Sequence, residues 1–403
     1  MKTLDVRFQA ERTVGQLLER QGRVYFEYAG EWLRTGLNLS PFRLPFEAGV
    51  FEHKDRAFGP LPGLFSDSLP DGWGLLLMDR HFRRAGQDPA TLGSLERLAW
   101  LGVRTMGALT YHPPADPGPG GAGRLDLEVM ARQAQEVLSG RSSEVLVQLL
   151  RAGGSPAGAR PKVLVGFKAE GDELLSGADE LPEGYEPWMV KFPAGKDDTG
   201  AGPAEYAYSL MARAAGLDLP ATRLFETPGG GRYFGVKRFD REGARRLHCH
   251  SFGNLIQTDF RIPSCDYLDL LRTTALLTRD HREVVKALRQ MAFNVAAHNR
   301  DDHAKNFAFL LDDGGEWTLS PAFDLCFCPG RGGEHTMTVA GEGRAPGAAH
   351  ILQVALARDV SRAEAAAVID EVRSALARWP EFARQAGVGP ERIREIGARH
   401  GLR

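Results

Sequence analysis

Cysteine is scarce. Only Cys249, Cys265, Cys326 and Cys328 occur in 403 residues. So few cannot staple so long a chain, so no disulfide framework is expected and a reducing, cytoplasmic setting is. Their spacing does not make a zinc site either. Cys326 and Cys328 lack the two-residue gap of a zinc knuckle, and His248-Cys249-His250 has no second ligand pair at zinc-finger distance. Long apolar runs are also missing. Nothing approaches the roughly 20 residues of a membrane-spanning helix, and the first thirteen residues contain no apolar signal-peptide core. No membrane partner is expected. An excess of one charge is absent too: 50 Lys and Arg face 52 Asp and Glu, a formal net charge of -2. That balance argues against a stand-alone nucleic-acid binder, although a local basic face stays open. No internal repeat occurs at periods of about 20 to 50 residues.

What remains is globular. Hydrophobic residues make up 43% and charged residues 25%, enough for two or three domains with a large core. Residues 1–111 open with alternating apolar and polar positions, as half-buried strands do. The turn-rich segment from Phe65 to Gly74 leads into a helix expected at Leu75, with Trp73 as a core anchor. Residues 112–124 are dominated by proline and glycine and read as a linker. Residues 125–240 combine an amphipathic helix (Leu127, Met130, Ala134, Val137 and Leu138 on one face), a second helix over 143–151, and a Gly-rich loop, Gly153-Gly-Ser-Pro-Ala-Gly-Ala-Arg-Pro-Lys162. Strands are expected at 163–167, 188–192 and 233–239, and a helix at 205–215. Residues 241–403 read as mostly helical, with helices over 267–278 and from Asp280, where Glu283 suggests a capping box, to near Asn299; Ser361 and Glu364 mark another start. The expected class is α+β, in two lobes: a small β-rich N-terminal subdomain plus a sheet-containing lobe, then a mostly helical C-terminal lobe.

The sharpest segment is Asn299-Arg-Asp-Asp-His-Ala-Lys-Asn306. Asp301 and Asn306 have the spacing of the kinase catalytic loop, where a carboxylate accepts the proton of the attacking hydroxyl and a nearby amide oxygen holds magnesium. A helix precedes it and an apolar strand follows. Beyond a turn at 312–316, Pro321-Ala-Phe-Asp324 offers a second acidic residue; magnesium takes oxygen ligands, so Asn306 and Asp324 with phosphate oxygens suffice. Lys191 sits inside an apolar strand and needs a counter-charge, from phosphate or from a helix glutamate such as Glu205. The Gly-rich loop supplies backbone N–H groups for phosphates. It is neither a Walker A loop, since Ala159-Arg160 replaces Lys-Ser/Thr, nor a G-x-G-x-x-G. Each element also has a plainer reading. Asp301 and Asp302 could form a solvated turn, Lys191 could snorkel at a strand edge, and Gly153-Gly154 could be only a helix stop. Together, however, they fall in kinase order.

The ordered set resembles the HipA family of serine/threonine kinase toxins of bacterial type II toxin–antitoxin systems. The residues that carry the resemblance are the Gly-rich loop, Val190-Lys-Phe-Pro193, Val236-Lys-Arg-Phe-Asp-Arg241, 299–306 and Pro321-Ala-Phe-Asp324. In the first piece they are Phe65-Ser-Asp-Ser-Leu-Pro-Asp-Gly-Trp-Gly74 and Leu101-Gly-Val-Arg-Thr-Met-Gly-Ala-Leu109, similar to that family's N-terminal subdomain. The resemblance implies ATP and Mg2+, with Asp301 as catalytic base and Asn306 and Asp324 as metal ligands. It implies that Lys191 contacts phosphates and that Ala157, Gly158, Ala159, Arg160, Pro161 and Lys162 close over the nucleotide. Lys237, Arg238 and Phe239 would form the adenine-reading hinge, and His303, Ala304, Lys305, Asn306, Phe323 and Asp324 would line the same site. Ser155 matches the serine such kinases autophosphorylate; a phosphate there would add negative charge to a loop that must hold ATP and switch the kinase off. The implied target is a translation-related protein of the aminoacyl-tRNA synthetase class. The implied partner is a HipB-like antitoxin, through which alone DNA would be reached. Asp302 stands where the best-known members have glycine, Phe323 replaces a tyrosine, and Pro156 stiffens the loop after Ser155. Two other classes stay open. One is a small-molecule phosphotransferase, against which the 110 residues before the kinase core weigh. The other is a non-catalytic pseudokinase that binds an antitoxin or DNA, against which the intact Lys191, Asp301, Asn306 and Asp324 weigh.

Overall fold

A computed structural model of the chain describes residues 2–115, 123–140, 149–150, 158–176, 181–195 and 200–402. The chain divides into two compact units. The first comprises Met1–Thr199, Phe225–His250 and Leu311–Gly315; the second comprises Gly200–Leu224, Ser251–Leu310 and Glu316–Arg403. Most of the helix expected over 143–151 and the middle of the Pro/Gly segment lie outside the described residues.

The first unit begins as an antiparallel sheet in the order Val50–Glu52, Arg23–Tyr28, Arg12–Arg20, Lys2–Phe8, Leu109–His112. The alternation in the first strand buries Leu4, Val6 and Phe8 on one face, as a period-two pattern must. The helix expected at Leu75 starts three residues earlier and spans Gly72–Arg84. It can do so because Gly72 takes a φ of +48 that starts the turn. It buries Trp73, Leu77, Met78 and Phe82.

A second sheet runs Thr222–Glu226, Arg232–Lys237, Glu186–Lys191, Lys162–Lys168, Glu173–Ser176, Gly123–Arg124. Lys162–Lys168 is a central strand, buried over its first six residues, which explains its unbroken apolar run. Val163 faces Val190, and Val165 faces Trp188. The helix Leu127–Leu138 is capped by Asp126, whose carboxylate accepts the N–H groups of Glu128 and Val129. Its apolar stripe is buried except for Leu138, which lies at the helix end and is 38% exposed. One core joins this helix and sheet to the N-terminal piece: Trp73 and Leu77 pack with Met130, Val163, Val190 and Phe192. Each such side chain contributes about 1.5–3 kcal/mol by burial.

The second unit is mostly helical, with Ala201–Ala214, Tyr267–Thr278, His281–Ala296, Ala348–Leu356, Arg362–Ala377, Trp379–Gln385 and Pro390–Gly397. Asp280 caps His281–Ala296 by accepting the Arg282 N–H at 2.8 Å. Glu283 does not complete the expected capping box. Its buried carboxylate instead accepts the Leu319 N–H at 2.8 Å and Lys286 Nζ at 2.7 Å. Ser361 caps Arg362–Ala377 at the Glu364 N–H, as its S-x-x-E spacing suggests. The helix His281–Ala296 ends three residues before Asn299 and delivers the chain into the loop 299–306. The short strands Ala308–Leu311 and Trp317–Leu319 carry it onward to Asp324.

Candidate active site

In the second unit, the loop closes on itself through its two diagnostic residues. Asn306 Nδ2 donates to the carbonyl oxygen of Asp301 at 2.7 Å. This bond fixes the amide so that Oδ1 is the atom left to accept or ligate. Asn306 is buried in the short 3-10 turn Ala304–Asn306, whereas the Asp301 side chain is exposed.

Asp302 is wholly buried and is not part of a solvated turn. Its Oδ2 accepts the Tyr267 hydroxyl and faces His335 Nδ1, both at 2.8 Å, and its Oδ1 accepts the Thr336 N–H at 2.9 Å. Burial, with Asp302 adjacent, pushes the Tyr267 phenol well above its ordinary pKa, so it remains a donor. The Tyr267 oxygen in turn accepts Asn294 Nδ2 at 3.1 Å, and Asn294 Oδ1 accepts Asn299 Nδ2 at 3.0 Å. Asn299 Nδ2 also reaches the Asp324 carbonyl at 3.5 Å, the outer limit of a hydrogen bond. Two backbone bonds tie the Asp324 segment alongside the loop: Arg300 N–H to Cys328 O at 3.2 Å and Cys328 N–H to His298 O at 3.1 Å. Asp324 is half-buried and holds a left-handed φ of +58, which aspartate tolerates better than most residues. Among the described residues, His303 Nδ1 is buried and has no hydrogen-bond partner. Lys305 Nζ lies 4.6 Å from the Phe260 ring centroid.

In the first unit, Lys162 and Lys191 are both buried, at 4% and 7% exposure, and stand directly opposite each other on adjacent antiparallel strands. Their side chains therefore leave the same face of the sheet. Lys191 Nζ also lies 5.7 Å from the Phe234 ring centroid. Gly158 sits at φ +101 over Lys162, and a Cβ there would strike Lys162 Nζ. The exit of the Gly-rich loop is anchored by the N-terminal piece. Trp73 N–H donates to Gly158 O at 3.0 Å, Trp73 Nε1 donates to Lys162 O at 3.0 Å, and the Gly158 N–H donates to the Asp71 carboxylate.

The expected hinge is held by ions. Arg238 is bidentate on Asp240 at 2.9 and 2.8 Å, and Arg241 adds a bond to Asp240 at 2.7 Å. The Gly107 N–H also donates to Asp240, while Arg241 and Arg246 donate to carbonyls of the 103–107 loop. Although burial opposes ionisation, the two guanidinium groups and the Gly107 N–H hold the Asp240 carboxyl far below its ordinary range. The Arg238 N–H is engaged by Pro187 O at 2.8 Å, and Lys237 pairs with Glu186 at 2.5 Å.

The structure thus brings Asp301, Asn306 and the Asp324 segment together in one unit and Gly158 and Lys162 with Lys191 in the other. Ala159, Arg160 and Pro161 lead from Gly158 into the central strand. Phe239 follows the strand Arg232–Lys237, and Ala304 is buried in the 3-10 turn Ala304–Asn306. Phe323 is half-buried before Asp324. Ser155 and Ala157 lie outside the described residues. Glu205 is buried in Ala201–Ala214. Asp71, Asp240 and Asp302, each of which positions a loop, were not singled out for that work by sequence reasoning. Only the D-R pairing in Val236-Lys-Arg-Phe-Asp-Arg241 hinted at one of them. Among the described residues there is no cluster of three or more His, Cys, Asp or Glu side chains suited to a metal ion, and no helix is long and apolar enough to cross a membrane.

Residues 4–112 match the sequence profile of the HipA N-terminal domain, and residues 154–379 match that of the HipA-like C-terminal domain. Two Sinorhizobium fredii proteins named as candidate kinases are similar. Y4dM is 27% identical over 343 residues, covering 80% of this chain and 76% of Y4dM; Y4mE is 28% identical over 352 residues, covering 78% and 74%. The fold is that of Shewanella oneidensis HipA, solved in a toxin–antitoxin complex with HipB and operator DNA. The TM-score is 0.73 at 15% identity, covering 98% of this chain and 94% of that one.

Proposed function

Because the chain belongs to the HipA family, we propose that it is an ATP-dependent serine/threonine protein kinase that transfers the γ-phosphate to a protein and so arrests growth. The observation that carries this reading is the closed catalytic loop: the Asn306 amide on the Asp301 carbonyl, with the Asp301 carboxylate left exposed. In this reading the Asp301 carboxylate accepts the proton of the substrate hydroxyl as its oxygen attacks phosphorus. The donor set fits magnesium, since Asn306 Oδ1 and the Asp324 carboxylate are hard oxygen ligands and the Asn306 Nδ2 is already engaged. Magnesium, when bound, neutralises charge on the phosphate oxygens. The ammonium groups of Lys162 and Lys191 suit a polyphosphate, over which the loop from Ala157 to Lys162 closes in this reading. The orphaned His303 Nδ1 calls for a hydrogen-bond partner, which a nucleotide supplies. Lys237, Arg238 and Phe239 serve as hinge, with Arg238 positioned by Asp240; Ala304, Lys305 and Phe323 line the pocket. Ser155 is the autophosphorylation site that turns the enzyme off.

The proposed substrate is a translation protein of the aminoacyl-tRNA synthetase class, and the proposed setting is the cytoplasm. The Shewanella HipA was solved with HipB and operator DNA. By analogy we assign this chain an antitoxin of that type, with DNA contacted only through it. The test is phosphoproteomics on cells expressing wild type beside Asp301→Asn. New phosphoserine or phosphothreonine on a translation protein, and phosphate on Ser155, should appear with wild type alone. Loss of a base costs roughly 100- to 10,000-fold in rate, so equal phosphorylation by the variant would remove Asp301 from the chemistry.

A further inference from the structure

The last three helices of the second unit, Arg362–Ala377, Trp379–Gln385 and Pro390–Gly397, line an open cavity of about 790 Å3. That is the size of a small-molecule site, not a packing defect. Its apolar walls include Leu376, Trp379, Val388 and Ile393. Arg384 and Arg394 are exposed at its edge, and neither makes an ion pair among the described residues. Two nearby carboxylates have closer partners: Glu381 pairs with Arg378 at 2.7 Å, and Glu395 with Arg392 at 2.9 Å. Apolar walls edged by two guanidinium groups that make no ion pair of their own are complementary to an apolar body carrying an anionic group.

The cavity is joined to the catalytic loop by two routes. His400, one of its lining residues, packs against Trp379 at 5.2 Å and faces the Tyr208 hydroxyl through Nε2 at 2.9 Å. That hydroxyl donates to Ala297 O at 2.6 Å, two residues before Asn299. Burial holds the His400 pKa down to about 4, so its ring is neutral at pH 7. With the Tyr208 proton on Ala297, Nε2 carries the imidazole proton, and Nδ1 is left as a buried acceptor with no partner among the described residues. The Gly401 N–H adds a bond to Ala296 O at 2.8 Å. By the second route, Arg392 on the cavity helix lies 5.6 Å from the Phe327 ring centroid, and Phe327 stacks on His298 at 5.6 Å. Phe327 adjoins Cys328, which is bonded to Arg300 of the catalytic loop.

We propose that this cavity is a regulatory site for a small apolar anion and that occupancy is coupled to nucleotide binding through Tyr208–Ala297 and Phe327–His298. The binding half stands on the cavity alone; the regulatory half rests on the kinase reading. The probe is 8-anilinonaphthalene-1-sulfonate, an aromatic anion with one N–H donor, titrated into the full-length protein by calorimetry and fluorescence. We expect one site per chain. The double variant Arg384→Gln/Arg394→Gln, both positions exposed, should weaken it about tenfold yet leave the neutral N-phenyl-1-naphthylamine unchanged. Ile393→Trp, which fills the cavity, should abolish binding of both. Equal sulfonate affinity in all three proteins would mean surface adhesion and would overturn the site.

Coupling is read by the affinity for a non-hydrolysable ATP analogue with and without saturating sulfonate. A change of about fivefold or more is expected, matched by an equal change in sulfonate affinity when the nucleotide is bound, because coupling is reciprocal. An unchanged nucleotide affinity would overturn the regulatory half. A wild type that binds no nucleotide at all would instead defeat the kinase reading and leave the cavity to be judged by the sulfonate titrations.

Discussion

Lys162 and Lys191 face each other across adjacent strands with both side chains buried. Two ammonium groups on one face of a sheet suit a polyphosphate, as the proposed kinase reading requires. Lys191→Ala and Lys162→Ala should each raise the Kd for an ATP analogue by about tenfold or more, the scale of one lost charge-assisted contact. Calorimetry decides it, and wild-type affinity in either variant would take that lysine out of the phosphate site.

Asp302 satisfies three donors in a dry setting. Asp302→Ala leaves Tyr267, His335 and the Thr336 N–H without their acceptor, and removing one side of so buried a network costs about 3 kcal/mol. Urea unfolding should show the loss, with the m-value unchanged. A variant as stable as wild type would mean that the network only marks time beside the loop.

Gly72 touches the Gly-rich loop closely. A Cβ there would lie 2.7 Å from Gly158 O and 2.8 Å from Ala159 Cα, at a φ of +48. Neither obstacle is a flexible side-chain end, so backbone must shift. Gly72→Ala should lower stability by about 1–3 kcal/mol and weaken nucleotide binding as Gly158 is displaced. Thermal melts and analogue titration test both, and unaltered affinity would mean that Gly158 has no part in the nucleotide site.

His248 and His400 are each held from the ordinary 6.5 down to about 4 by burial. A histidine depressed in the fold binds fewer protons folded than unfolded, so its contribution to stability is complete above pH 6.5. It erodes as pH falls toward 4, by roughly 3 kcal/mol per residue at the limit. Urea midpoints should therefore be flat from pH 7 to 8 and drop clearly by pH 5. His400→Gln should flatten that slope; a slope identical to wild type would show that His400 does not change its protonation on unfolding.

The elements that carry a short-range signal were legible in the sequence. The strands around Val163 and Val190 announce themselves by unbroken apolar runs, the closed loop 299–306 by the five-residue step from Asp301 to Asn306, and Trp73 by its size. The groups that hold those elements in place were not legible. Asp302 beside Asp301 looks like a solvated turn because Tyr267 and His335, which bury it, lie 35 and 33 positions away. Asp71 looks like a helix cap, yet its carboxylate serves Gly158, 87 positions on. Glu283 has capping-box spacing, but Leu319 claims it. In each case a local rule lost to a contact that exists only after the chain has folded.

The indole of Trp73 sits in the same core as the central strand of the second sheet, and its ring nitrogen is bonded to that strand's first carbonyl. The opening hundred residues are therefore a supporting wall of the sheet rather than an accessory hung on it. Inheritance follows from this: the two stretches must be made, kept and altered together, and damage near Trp73 would surface as a failure of the loop at Gly158, to which it is bonded.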